Sequence, residues 1–173
     1  MTSLYKQSIP VFVKYLNNLG AIAQKGQAFA DDTGKKHEEI LDFRLVPDMQ
    51  GLRYQVQSCC NTAVWFADRV GELEHTAVAD DETTFAQLQT RIEKTVAYLN
   101  GVDPVAIDSH ADKPLIMDRG KFGKFHFDTA QTYFSEFAMP NFHFHLTSGY
   151  CILRTQGAPI GAMDYMKDVF KKV

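Results

Sequence analysis

His143 and His145 stand close together in Pro140-Asn141-Phe142-His143-Phe144-His145-Leu146-Thr147-Ser148-Gly149-Tyr150-Cys151-Ile152-Leu153-Arg154. Imidazole ligates divalent metals and moves protons near neutral pH. An arginine beside an imidazole and a phenol can instead recognise carboxylate or phosphate. Direction decides between these chemistries. The apolar spacing predicts a helix, and at about 100° per residue Phe142, Leu146, Gly149 and Leu153 share its buried face. His145 and Ile152 fall on one flank. His143, Thr147, Tyr150 and Arg154 group on the other, with Phe144 and Cys151 at the back. A separation of two residues turns the imidazoles about 200° apart, which argues against a shared metal. A two-histidine helical site wants a separation of three or four. From His145 those positions hold Asn141, Phe142, Ser148 and Gly149, none a strong ligand.

His145 is therefore the single candidate metal ligand or base, weighed against a core histidine bonded to a carbonyl or amide. Asn61 and Gln57 are its expected neighbours, in a pocket between the second and fourth long helices. His143, Tyr150 and Arg154 form a second candidate group, read either as an anion site or as an interhelical polar cluster. His126 diverges from both. His37, His75 and His110 read as exposed residues of loops and helix ends. Cys59, Cys60 and Cys151 are odd in number and lack zinc-site spacing, so they read as inert reduced thiols of a cytoplasmic protein.

The elements that position these residues are legible from periodicity. Leu4, Val11, Tyr15, Leu19 and Ile22 mark a long helix capped by Ser3, interrupted or started by Pro10, and fading between Lys25 and Ala30. A short helix over 36–45 stops before Pro47. Leu52, Val56, Cys59, Cys60, Ala63, Ala67 and Val70 mark a second long helix, followed by an acidic surface loop reaching Asp81-Glu82. Thr84 and Gln87 form a capping box that opens a third helix, ending at Asn100-Gly101. Leu115-Ile116-Met117 and the run 122–127 flank Asp118-Arg119-Gly120-Lys121, a β-hairpin pattern. A short helix follows over Ala130 to Phe137. Pro140 suits the first turn of the fourth long helix, which ends at Gly157. A last helical turn ends in Lys171-Lys172. The expected architecture is mainly α: a single-domain, up-down four-helix bundle over 1–173, with a small β-hairpin inserted between the third and fourth long helices.

Composition narrows the function classes. The chain has 173 residues, 45% of them apolar, enough for a substantial core that thirteen Phe and seven Tyr make aromatic. A net charge of −3 without a basic run argues against nucleic acid or an anionic membrane as partner. No segment approaches about 20 apolar residues, and Met1-Thr2-Ser3-Leu4-Tyr5-Lys6 lacks a signal-peptide pattern.

Taken with Ser3-Leu4-Tyr5, Ser8-Ile9-Pro10, Arg44-Leu45-Val46-Pro47-Asp48-Met49, Gln55-Val56-Gln57, Pro140-Asn141-Phe142, Phe144-His145, Leu153-Arg154 and Gly157-Ala158-Pro159-Ile160-Gly161, the chain resembles the DinB/YfiT-like helical-bundle superfamily, in a branch known as a domain of unknown function. The resemblance covers almost the whole chain. It implies an up-down four-helix bundle, often dimeric. Many members bind nickel or zinc through three histidines, one on the second helix and two, four residues apart, on the last. Some are thiol-dependent transferases or hydrolases. Here the second helix has no histidine, and positions 141 and 149 are Asn and Gly. The fold carries over; the metal triad does not. The expected function is a small-molecule-binding or interaction module, a homodimer without the triad. The alternative is a divalent-metal-dependent hydrolase or thiol transferase with a remodelled site around His145.

Overall fold

The computed structural model describes residues 2–74 and 77–170. The expectations for His75 and for the turn at Lys171-Lys172 lie outside the described residues.

Helix α1 (Leu4–Thr33) opens where Ser3 Oγ accepts the Lys6 N–H at 3.1 Å, satisfying a donor the first turn leaves orphaned. Pro10 sits inside the helix without ending it. Its missing N–H leaves the Lys6 carbonyl without a helical partner, and both residues face solvent, where water can take that bond. The helix also outruns its expected fade. Gly26 and Ala30 continue the buried stripe, and Gly26 is a packing notch: a Cβ there would meet Leu153 Cδ2 at 2.6 Å. From sequence, a glycine between polar residues reads as loop; here it is where α1 admits a neighbour's leucine. Gly34 ends the helix at φ 69°, a conformation a Cβ would strain.

Helix α2 (His37–Asp42) leads into α3 (Leu52–Gly71). Helix α4 (Phe85–Asn100) starts on the expected capping box, with both Thr84 and Gln87 side chains bonded to the backbone. Helix α5 (Pro104–Asp108) is short, and the Asp108 carboxylate accepts Ser3 Oγ–H at 2.6 Å and the Tyr5 N–H at 2.8 Å, tying it to the start of α1. The hairpin forms as β1 (Leu115–Asp118) against β2 (Lys124–Phe127), pairing Leu115 with Phe127 and Met117 with Phe125. Leu115 and Met117 are buried while Ile116 stays exposed.

The last long helix departs from expectation. It begins as α6 (Ala130–Thr132), widens into a π-helical turn over Tyr133–Ala138, and continues as α7 (Met139–Thr155). Pro140 does sit in the first turn of α7, as expected, but that turn continues from the π-helical one without a break. A proline ring would crowd the carbonyl one α-turn earlier, and the widened turn just ahead of it relieves that contact. Helix α8 (Ala162–Tyr165) closes the described chain.

The four long helices run up, down, down, up. Gln55 meets His145 and Thr62 meets Asn141, so α3 and α7 are antiparallel. Phe12 meets Phe142 and Gly26 meets Leu153, so α1 and α7 are parallel. Asn61 meets Arg91 and Asp68 meets Tyr98, so α3 and α4 are parallel too. A parallel neighbour needs a long return. The run after α3 supplies it, doubling back along that helix so that Asp80 reaches Asn61 and Glu82 reaches Gln57. The core is aromatic at its centre. The Phe12 ring lies 5.0 Å from Phe142, 5.5 Å from Phe66 and 6.1 Å from Phe134. Burying each such ring contributes about 1.5–3 kcal/mol.

Candidate functional site

Helix α3 carries polar side chains on two faces, and each face builds a different site. Toward α7, His145 Nδ1 donates to Gln55 Oε1 at 2.8 Å, and Gln55 Nε2 donates to the Gln50 carbonyl at 2.9 Å. The second bond fixes which way the amide points, hence which imidazole nitrogen carries the proton. His145 is 9% exposed, and the Tyr54 and Phe144 rings pack edge-on against it. Burial pushes its pKa down to about 4, so the ring is neutral at physiological pH. Its expected neighbours Gln57 and Asn61 are absent from this face. Positions 55 and 57 are about 200° apart on a helix, and 55 is the one turned to α7.

Three histidines do not fit here. Gln55 is the α3 side chain that faces both His145 and position 149: a Cβ on Gly149 would stand 3.6 Å from Gln55 Cβ. Those places hold an amide already bonded to His145 and a residue with no side chain. Among the described residues no three of His, Cys, Asp or Glu come together as a metal-binding group.

The second predicted group separates. His143 Nδ1 lies 2.9 Å from the Tyr165 hydroxyl, Thr147 Oγ1 lies 3.1 Å from the same oxygen, and the Tyr150 ring stands edge-on to Tyr165. Asn18 Nδ2 donates to the Tyr165 carbonyl at 2.9 Å and to the Lys167 carbonyl at 3.0 Å. This seam fastens the C-terminal tail to α1 and α7. Burial lowers the His143 pKa. Arg154 is not part of it; its guanidinium donates to the Ala158 carbonyl at the helix end, 3.4 Å away. His126 faces solvent beside Asp128. His37 and His110 are more enclosed than expected. His37 bonds Asp31 at 2.7 Å and packs edge-on to Phe85; His110 Nδ1 donates to the Ala106 carbonyl at 2.8 Å. Cys59 and Cys60 are fully enclosed, and burial raises both thiols, Cys60 to about 11. Neither suits a nucleophile.

The other face of α3 holds Gln57 and Asn61, gathered by Arg91, a residue the sequence did not single out. Arg91 is 6% exposed. Its guanidinium donates to Asn61 Oδ1 at 2.6 Å, the Ala79 carbonyl at 3.0 Å, Glu82 at 3.1 Å and Asp80 at 3.2 Å. Gln57 Nε2 donates to the remaining Glu82 oxygen at 2.9 Å, and Asn61 Nδ2 to Asp80 at 2.9 Å. The signals were an arginine three residues after Leu88, on the flank of the apolar stripe, and an acidic run upstream. The segment 77–83 is thus a strap bolted to α3 and α4, more than a surface loop. It separates two cavities. One, about 420 Å³, has Arg44, Tyr54, Gln57 and Asp81 among its lining residues. The other, about 360 Å³, is lined chiefly by apolar surface from Val64, Trp65, Ala77 and Val78, with Asn61, Lys94 and Tyr98 at its edges.

A crystallised DinB family member protein from Shewanella denitrificans has the same architecture, with a TM-score of 0.89 and 32% identity over 98% of this chain and 95% of that one. The protein is a DinB-like helical bundle. It belongs to the family described as a domain of unknown function, DUF1993, which matches residues 4–166. No curated protein matches the chain. Among the described residues no helix is long and apolar enough to cross a membrane.

Proposed function

We propose that this chain is a small-molecule-binding module on a DinB-type scaffold that works without the three-histidine metal centre, its ligand site lying in the cavity between α3 and α4. The contrast between the two faces of α3 carries this reading. Toward α7, Gln55, His145 and Gly149 leave no donor set for a metal. Toward α4, an apolar cavity of about 360 Å³ carries polar groups at its edges, the size and lining of a small-ligand site. The hydrolase or transferase alternative has no donor cluster among the described residues to support it.

The experiment has two arms. Untagged protein equilibrated with nickel, zinc or manganese and then desalted is expected to retain well under one metal per chain; a stoichiometric metal lost in His145→Ala would overturn the reading. In a melting-temperature screen of small acids, amines and neutral aromatics, at least one class is expected to stabilise the protein. Val64→Phe, which fills the cavity, is expected to abolish the gain; a screen with no stabilising compound also counts against binding.

The working unit in this proposal is a cytoplasmic homodimer. Support comes from three free thiols and from an uncovered aromatic pair, Phe144 at 58% and Tyr54 at 48% exposure, on the back of α7 and the adjacent edge of α3. Exposed aromatic pairs of this kind favour an interface. Sedimentation is expected to show a dimer that Phe144→Glu converts to monomer, with a circular-dichroism spectrum that stays helical. A wild-type monomer at high micromolar concentration would refute the dimer.

A further inference from the structure

Independently of the α3–α4 cavity, we infer that the hairpin and the π-helical turn together form a docking groove for a short acidic segment of another protein, one that carries a large apolar side chain among its carboxylates. The groove follows from strand register. Met117 pairs with Phe125 and Leu115 with Phe127, so these four side chains share one face of the hairpin. That face is turned to the bundle. Leu115 and Met117 are buried, and the Phe127 ring lies 5.1 Å from Tyr133 and 6.2 Å from Phe137. Toward the turn the cover gives out: Phe125 is 46% exposed, and Phe122, in the turn itself, 68%. A groove of about 400 Å³ opens there. Met117, Phe125 and Phe127 line it from the hairpin, Phe137 and Asn141 from the helix, and Arg119 and Phe122 from the turn. Exposed rings grouped around a hollow mark an interaction site. Phe137 comes from the π-helical turn, and such turns recur at functional sites.

Charge selects the occupant. The groove lining holds one charged side chain, Arg119, and no carboxylate. Across residues 115–127, Asp118 is the sole acidic residue against Arg119, Lys121 and Lys124, and Lys124 Nζ already pairs with it at 3.1 Å. Arg119 and Lys121 have no carboxylate partner among the described residues; Lys121 lies over the Phe122 ring at 5.3 Å. Apolar surface and unpaired positive charge thus stand side by side. The chain as a whole carries −3, the opposite sign. An extended polyanion or an anionic bilayer meets that surrounding negative surface, whereas a short acidic segment touches the positive hairpin alone. Shape gives the same answer. The hollow admits a Phe or Leu side chain, and a flat lipid surface has nothing to insert into it.

The test follows the fluorescence anisotropy of three labelled hexapeptides on the intact chain: DEFLDE, the charge-reversed KRFLKR and the anchor-free DESSDE. The first is expected to bind saturably, at least tenfold more tightly than either control, and to weaken as salt is raised. Arg119→Glu combined with Lys121→Glu is expected to invert the order, so that KRFLKR binds best. Both positions are exposed, and a misfolded chain does not invert a preference. Phe122→Ser combined with Phe125→Ser is expected to bring DEFLDE down to the level of DESSDE. If DEFLDE and KRFLKR bind alike, or the charge reversal leaves their order unchanged, charge does not choose the occupant and the inference falls. It falls equally if DESSDE matches DEFLDE, because the groove then takes no anchor. No saturable binding of DEFLDE up to about 1 mM overturns it outright. Retention of the wild-type chain on phosphatidylserine vesicles, in place of peptide binding, would make the hairpin a membrane contact instead. A changed sedimentation of the peptide-free chain on charge reversal would give the groove to a second copy.

Discussion

Arg91→Ala is expected to destabilise the fold by about 3–5 kcal/mol, the usual cost of removing one partner from a buried ionic cluster. The size follows from what stays behind. Glu82 keeps a side chain only 10% exposed, and Asp80, the Asn61 amide oxygen and the Ala79 carbonyl lose the same donor. Two of those groups are charged, and moving them to solvent means lifting the strap off α3. Arg91→Lys is expected to rescue little, because a single ammonium with three donors cannot reproduce bonds sent from two guanidinium nitrogens to four acceptors. The double replacement Arg91→Met with Glu82→Gln is expected to cost less than the sum of the two single changes, since it removes charges from both sides. Urea unfolding gives the magnitude. Limited proteolysis supplies the local readout: cleavage within 77–83 should rise in Arg91→Ala well before global unfolding. A loss under about 1 kcal/mol, with an uncut strap, would place Arg91 among ordinary surface ion pairs.

What the sequence made legible was local. Ser3 and Thr84 cap their helices through bonds that span three residues, so type and spacing announce them. The hairpin is legible for the same reason, its apolar strands flanking a short polar turn. What escaped depends on which neighbour a helix face meets. Gly26 lies where the apolar stripe fades, and only the Leu153 side chain in its notch shows why the helix continues. Pro140 marks the first turn of α7, but the π-helical turn that leads into it leaves no periodic signal. The misplaced site residues share one cause. The two-residue offset that separates His143 from His145 also separates Gln55 from Gln57, and periodicity alone does not say which of two opposite faces meets α7. Gln57 and Asn61, four residues apart, share one face of α3, and that face looks at α4 rather than at His145. The up, down, down, up order was hidden likewise, because a long acidic run looks the same whether it hangs in solvent or returns along a helix.

His145 makes the fold acid-sensitive, and the sign follows from its pKa. In the folded chain burial lowers it to about 4, against about 6.5 for an unfolded histidine. Between those values the unfolded state binds the proton and the folded state does not. Folding stability therefore falls as pH drops from about 6.5 toward 4, by about 3 kcal/mol in all at about 1.4 kcal/mol per pKa unit. Above about 7 the group contributes no pH dependence. His143, also lowered by burial, adds a loss of the same sign. Asp108 and Asp164 have folded pKa values below the ordinary carboxylate range, so their contribution is lost only as the pH falls further, through those lowered values. A variant comparison isolates His145. In His145→Gln, which keeps an amide opposite Gln55 and has nothing to titrate, the slope of stability between pH 6.5 and 4 is expected to flatten by that amount. Urea midpoints at pH 7.5, 6, 5 and 4 measure it for both proteins, and a proton NMR titration of the ring should show it still neutral at pH 5. A ring that titrates near 6.5, or parallel pH profiles for the two proteins, would mean that water reaches the imidazole and that the Gln55 bond does not hold it in the core.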